Sequence, residues 1–236
     1  MIAFLNVVDR PVLRGYRLDL ALGINLLIPK GRYALLSPDL RLRRPMLDLL
    51  AGVRPPASGA IRQNGLVSWP IGRAGFTRGK VTGFHLLALL SRIYSLDRAI
   101  SEAVVGEILT NPDCLGQIVD HWDSSARFEF LHAVALLPRF DIYIVDGALP
   151  VAGTRFHRLW WPLFEQRISD RTFVLLTTRA REAEDYCDAA LVLRNGLVEI
   201  DDELDQALGR YPARPLEMEE RSSGGGSELF EDDQLV

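Results

Sequence analysis

The stretch "ALLSPDLRLRRPMLDLLAG", residues 34–52, governs how the whole chain is read. An apolar run, "ALL", enters a short polar loop, and an amphipathic helix, "PMLDLLAG", leaves it. Strand, loop, helix is the outline of a phosphate-binding loop, whose sequence form is G-x-x-x-x-G-K-[ST]. In that form glycines adopt positive φ and let backbone N–H groups close around phosphate oxygens. Here those glycines are missing, and three arginines, Arg41, Arg43 and Arg44, stand in the loop. The outline points to a fold, while the residues point away from the chemistry that usually accompanies it.

Outward from this stretch, "INLLIPKGRYALLSP", residues 24–38, reads as two strands around a Pro-Lys-Gly turn. Downstream, residues 47–50 begin a helix that Gly52 can cap, with Pro45 at its start. Residues 54–72 are turn-rich, with short strands at 60–62 and 66–69. "GFHLLALLSRIYSLDRAISEAVVGEILTN", residues 83–111, has helical periodicity: one helix over 83–94, and a second that Asp97 N-caps. "SSARFEFLHAVALLP" reads as a helix ended by Pro138, and "FDIYIVDGAL" as a buried strand ending at Asp146. "HRLWWPLFEQRIS" is helical, with Pro162 at a kink or near a start. "TFVLLTT" is a second buried strand, "REAEDYCDAA" a helix, and "LVLRNGLVEI" a hairpin around Asn195-Gly196. Strands alternating with helices imply a mainly parallel sheet covered on both faces. No internal repeat is present.

Composition excludes several classes. Hydrophobic residues make up 48% and charged residues 25%, the balance of an ordinary folded domain. A net charge of -4 argues against a nucleic-acid partner. Cys114 and Cys187 form neither a disulfide framework nor a metal spacing, and both read as reduced and buried. No secretory signal opens the sequence, and no apolar run reaches the roughly 20 residues of a membrane span. His85, His121, His132 and His157 lack metal-ligand spacing and read as ordinary histidines. Trp160 and Trp161 read as core.

Taken in order, these elements resemble the ATP-binding subunit of ABC transporters. More narrowly, they resemble the branch that drives exporters of capsular polysaccharide and related glycans. The resemblance covers roughly residues 24–208. Its most specific piece is "VSWPIGRAGFTRGKVTG", residues 67–83, because that branch has Ser-Trp-Pro-x-Gly, a Gly-rich segment, then Leu-Thr-Gly. "YCDAALVLRNGLVE", residues 186–199, looks like the stretch after the family's switch histidine. "ALLSPDLRLRRPMLDLLAG" aligns without gaps on the Walker A region, and "IYIVDGAL" on Walker B. The fold implied is α/β, a P-loop NTPase-like ABC ATPase fold. It has a mainly parallel sheet core, a small antiparallel β part and a helical subdomain at approximately residues 79–138. This domain would span residues 1–214, and an acidic, Gly/Ser-containing tail, residues 215–236, is expected to be disordered.

The family's working residues are mostly replaced. Ser37, Leu40 and Leu42 stand where it has Walker A glycines, with Asp39 among them. Leucine resists a left-handed backbone, and its side chain would fill phosphate space. Arg43 takes the place of the phosphate-reaching lysine, with a wider fork. Arg44 takes the place of the Mg²⁺-ligating hydroxyl and would repel the ion. Pro45 removes an N–H from the anion-binding helix end. Arg78 aligns with the Q-loop glutamine. In the signature, Asp123 replaces a serine that contacts phosphate across the dimer, Ser124 follows, and Ser125 replaces a glycine. Walker B keeps Asp146, but Gly147 stands where the catalytic glutamate polarises water. Gly153 aligns with the D-loop aspartate and Thr178 with the switch histidine.

Paired with an active homologue, the chain would bring its altered loop to one composite site and its altered signature to the other, so both sites would be impaired, and the resemblance implies a catalytically degenerate subunit, a pseudo-ATPase. It would act as a scaffold or regulator of a capsular-polysaccharide-type export complex at the inner face of the membrane. No catalytic residue and no metal site are expected, and ATP and Mg²⁺ binding are expected to be weak or absent. The expected partner is an ABC permease, docked through residues 72–83 and 83–111, with an active homologue or a second copy of the chain beside it. The chain is expected in the cytoplasm, reaching the membrane only through the permease. Two other readings stand: an active ATP-hydrolysing export subunit, and a soluble regulator that binds anions or proteins through Arg41, Arg43 and Arg44. In the last, acidic Glu228, Glu231, Asp232 and Asp233 could fold back onto the arginines.

Overall fold

In a computed structural model, residues 1–73 and 75–211 are described. The tail read as disordered lies outside them. The first strand, β1 (Ile2–Asp9), is followed by a short hairpin of β2 (Val12–Leu13) and β3 (Tyr16–Arg17), then by β4 (Ala21–Ile28). Arg14 and Gly15 turn the hairpin with φ 50 and 82, the positive pair that a two-residue connection of this twist requires. β1 lies between β4 and β6 (Ser58–Gln63), antiparallel to both, which makes the small antiparallel sheet.

The Pro-Lys-Gly turn does not make a hairpin. It carries the chain from the small sheet into the large one at β5 (Arg32–Leu36). The remaining strands are β7 (Val67–Ile71), β8 (Ile142–Asp146), β9 (Thr172–Leu176), β10 (Ala189–Arg194) and β11 (Leu197–Asp201). With β5 they form one sheet in the order β11-β10-β5-β9-β8-β7, parallel except for the β10–β11 hairpin. β8 and β9 are buried at every position, which explains apolar runs without alternation.

Helices cover both faces. α1 (Leu40–Leu50) follows β5, and it packs Met46 and Leu47 with Ile144 and Val174 on the face shared with the small sheet. α2 (Gly83–Ile93), α3 (Arg98–Ile108) and α4 (Ser124–Val134) lie between β7 and β8 and form the helical subdomain. α5 (Arg155–Ile168), α6 (Ala180–Tyr186) and α7 (Leu204–Arg210) complete the other face, over Tyr143, Val145 and Phe173. Trp160 stacks on Phe164 at 4.4 Å, and its indole N–H donates to the His132 carbonyl at 2.9 Å. Arg155 ties the subdomain to α5 by donating to the carbonyls of Leu109 at 2.7 Å and Glu107 at 3.1 Å at the end of α3.

Three expectations change. α1 begins at Leu40 rather than at residue 47, so Pro45 lies inside it. α4 ends at Val134, ahead of Pro138, because tight turns close there, with Leu136 N–H on the Ala133 carbonyl at 3.1 Å. α6 ends at Tyr186, and Ala189 already belongs to β10. Pro162 is inside α5, Asp97 caps α3, and both cysteines are free and buried.

His132 is fully buried on α4, with Nδ1 donating to the Phe128 carbonyl at 2.8 Å, and burial pushes its pKa down to about 4. An imidazole held neutral in the folded state stabilises the fold above the unfolded pKa of 6.5. That contribution is lost as pH falls towards 4. Urea unfolding across this window should show wild type losing about 3 kcal/mol through this group, whereas His132→Asn, less stable at neutral pH, should follow a flatter curve.

Candidate functional site

The would-be phosphate loop is folded as helix. No residue from 37 to 45 has positive φ, so no nest of N–H groups forms there. Without glycines, residues 40–44 settle into right-handed helical geometry and become the first turns of α1. Asp39 N-caps it: its carboxylate accepts the Arg41 N–H at 3.0 Å. Ser37 is buried, donating to the Leu193 carbonyl at 3.1 Å and accepting from the Asp39 N–H at 3.1 Å. Leu42 is buried in the core and Leu40 is exposed. Pro45, the sixth helical residue, offers no N–H, and its carbonyl faces the Arg54 guanidinium at 3.4 Å.

The arginines do not form a solvated cluster. Arg41 forks onto the Asp39 carboxylate through Nε at 2.9 Å and Nη2 at 2.8 Å, which holds the Asp39 carboxyl below its ordinary pKa. Arg43 is buried and turns back to the Ser37 carbonyl at 2.9 Å, and burial lowers its pKa to about 10. Arg44 keeps a side chain 75% exposed while its Nε lies 3.5 Å from an Asp146 oxygen.

Asp146 ends β8 with a side chain only 3% exposed. Its main partner is a residue that sequence reading missed. Arg73 places both Nε and Nη2 2.7 Å from Oδ2 of Asp146, and reaches Oδ1 of Asp48 on α1 through Nη1 at 2.5 Å. The signal lay in the strand order. β7 is the parallel neighbour of β8, so the residues just beyond both strands meet, and "PIGR" puts a cation beside "IVD". Gly147 follows at φ 127 with its N–H on the Leu176 carbonyl at 2.8 Å. The loop, Asp146, Gly147 and Thr178 gather at the C-terminal ends of β5, β8 and β9.

Thr178 is exposed. Next to it, Thr177 donates to Glu182 at 2.6 Å, and Glu182 also takes Arg179 at 2.9 Å. Arg78 is exposed, and Gly153 turns ahead of α5 at φ 84. The signature residues lie apart from the loop, at the N-terminus of α4. There Asp123 caps its own helix through the Ala126 N–H at 2.7 Å, and Ser124 and Ser125 are exposed. Arg127 binds that region to the segment before α2 by donating to the Thr77 carbonyl and, at 2.8 Å, to that of Val119. Tyr16, on β3, is 69% exposed. Among the described residues no cluster of His, Cys, Asp and Glu suits a metal ion, and no helix is long and apolar enough to cross a membrane.

No family model matches the chain. The fold is that of ABC transporter cassettes. The bacterial cassette MJ0796, solved as a dimer, superposes with a TM-score of 0.65 at 16% identity, covering 84% of this chain and 97% of that one. Its post-hydrolysis form, bound to ADP and Pi, gives 0.64 at 15% identity, covering 86% and 98%. The ATP-binding protein BexA of Haemophilus influenzae is 30% identical over 190 residues, 80% of this chain and 87% of BexA. The capsule polysaccharide export ATP-binding protein CtrD of Neisseria meningitidis is 30% identical over 171 residues, 72% of this chain and 79% of CtrD. The chain belongs to the family of ABC ATP-binding subunits that serve polysaccharide export.

The expectation of no nucleotide or metal cofactor is thereby corrected. The relatives are named ATP-binding proteins, and a structural neighbour was solved with ADP and Pi. The residues at hand fit that chemistry unevenly. Asp146 has the oxygen donors a hard divalent ion takes, but Arg73 and Arg44 stand on them, and Gly147 brings no base. No hydrolytic step follows from this arrangement.

Because Asp39 both caps α1 and holds Arg41, Asp39→Ala should lower stability by about 1 kcal/mol. Chemical denaturation at neutral pH checks this, and Asp39→Asn, which can still cap, should recover most of the loss.

Proposed function

We propose that this chain is a nucleotide-binding but hydrolysis-deficient subunit of a polysaccharide export complex, acting there as a scaffold or regulator. One observation carries the reading. The sole hydrolytic residue retained, Asp146, is held by two arginines, and the position beside it is glycine. Phosphoryl transfer depends on positioned charge around the phosphate and water, and this chain supplies neither base nor water-orienting group. Tyr16, exposed on β3, is the aromatic side chain this reading assigns to stacking on a flat base.

The partner this reading assigns is the export permease, with a second cassette, identical or homologous, beside it. A groove of about 580 Å³ lies between α3 and α5. Its walls include Ile100, Leu136 and Leu163, and Arg139 and Arg167 stand at it. The chain would lie at the inner face of the membrane through that contact. The reading of a soluble regulator working through the three loop arginines loses support, since Arg41 is spent on Asp39 and Arg43 is buried.

Purified protein titrated with ATP should bind saturably, and Tyr16→Ala should weaken binding roughly threefold to tenfold. Phosphate release from Mg-ATP should not exceed that of Asp146→Asn. Gly147→Glu should not raise it, because φ 127 strains any side chain there. Turnover abolished by Asp146→Asn would overturn the reading, as would failure to co-purify with a permease of this class.

A further inference from the structure

We infer that Arg73 is a built-in cation at the metal position: its guanidinium and a divalent ion compete for Asp146. With Arg73 in place, the residues at Asp146 do not fit a divalent ion. The inference rests on the reading of this chain as a nucleotide cassette, with Asp146 as its metal-side carboxylate.

The geometry is specific to one side chain. Arg73 spans two carboxylates, Asp146 on β8 at 2.7 Å and Asp48 on α1 at 2.5 Å. With Arg44 at 3.5 Å from Asp146, the two arginines and two aspartates form a cluster with no net charge. A divalent ion placed on the Asp146 oxygens would face two guanidinium groups within a few ångströms, in a site with little water to screen them. One of them must leave. Arg44 is 75% exposed and can turn into solvent. Arg73 is tethered by Asp48, so it sets the cost of entry.

The main chain is built for this placement. Gly72 has φ 92, and a Cβ there would stand 2.9 Å from the Asp146 carbonyl oxygen, so only glycine lets the chain turn so close to the end of β8. The Arg73 N–H closes the turn on the Pro70 carbonyl at 3.2 Å. Just beyond, Phe76 packs edge-on against Trp69 at 5.5 Å, and Arg127 holds the Thr77 carbonyl. The segment leading to α2 is therefore pinned at both ends by arginines, and one pin is the metal site itself.

The test uses the full chain and Mn²⁺ as the probe, with free Mn²⁺ read by electron paramagnetic resonance. Arg73→Ala should bind Mn²⁺ at least about tenfold more tightly than wild type, the scale of one lost charge-assisted pair. Arg73→Gln, which removes the charge and keeps most of the side chain, should show the same gain. Adding Asp146→Asn to either variant should remove the gain. Equal affinity of wild type and folded Arg73→Ala would overturn the inference, as would a gain that survives loss of Asp146. Should Arg73→Ala fail to fold, unchanged affinity in Arg73→Gln does the same. Mn²⁺ is read directly, so ATP turnover or a missing permease would sink the proposed function without touching this competition.

Discussion

A carboxylate with 3% of its side chain exposed must be neutralised by its neighbours, and at Asp146 that neighbour is the Arg73 fork. Much of the architecture around the site meets this demand. Parallel pairing of β7 with β8 brings the two strand ends together, with Ile71 opposite Val145. Gly72 then turns the chain inwards, and α1 presents Asp48 to the far side of the guanidinium. Sheet, loop and helix are thus joined at one charge cluster. Leaving Asp146 unpaired there is costly, because a buried lone charge loses hydration without recompense.

The second constraint is the absence of glycine between β5 and α1. A phosphate nest needs residues at positive φ, and Ser37, Leu40 and Leu42 do not go there. The chain takes the nearest relaxed path and lets α1 grow backwards to Leu40. Asp39 caps this longer helix, and Arg41 and Arg43 satisfy the carboxylate and carbonyl that the new geometry exposes. Substitutions that look like separate losses in the sequence are one local refolding. The glycines fix whether a loop exists, and the arginines fill the space where it would have been.

Most of the fold was legible before any coordinates. Apolar runs of five residues, β-branched and without alternation, identify β8 and β9 as central strands, and Asn195-Gly196 marks the β10–β11 turn. The start of α1 was not legible, because a proline normally opens a helix and Pro45 here sits within one. The site was legible in its losses and not in its replacements. The family resemblance sets Gly147 and Thr178 against the catalytic groups it leads one to expect. It cannot show that Arg43 is buried, or that the cation on Asp146 comes from a different strand. Arg73 emerges only from the neighbouring order of β7 and β8, which a parallel sheet leaves unspecified in sequence.

The replaced positions share a location that explains why the fold persists. Ser37, Gly147 and Thr178 follow the C-terminal ends of β5, β8 and β9, where open α/β sheets bind their ligands. Both cores draw instead on the strand interiors, on Tyr143, Val145 and Phe173 to one side and on Ile142, Ile144 and Val174 to the other. Chemistry at the rim can change without opening either core. The links that seat the helical subdomain, Arg155 on the end of α3 and Arg127 on Thr77, are likewise independent of the loop. The helical subdomain is therefore seated by contacts that do not pass through the rim residues.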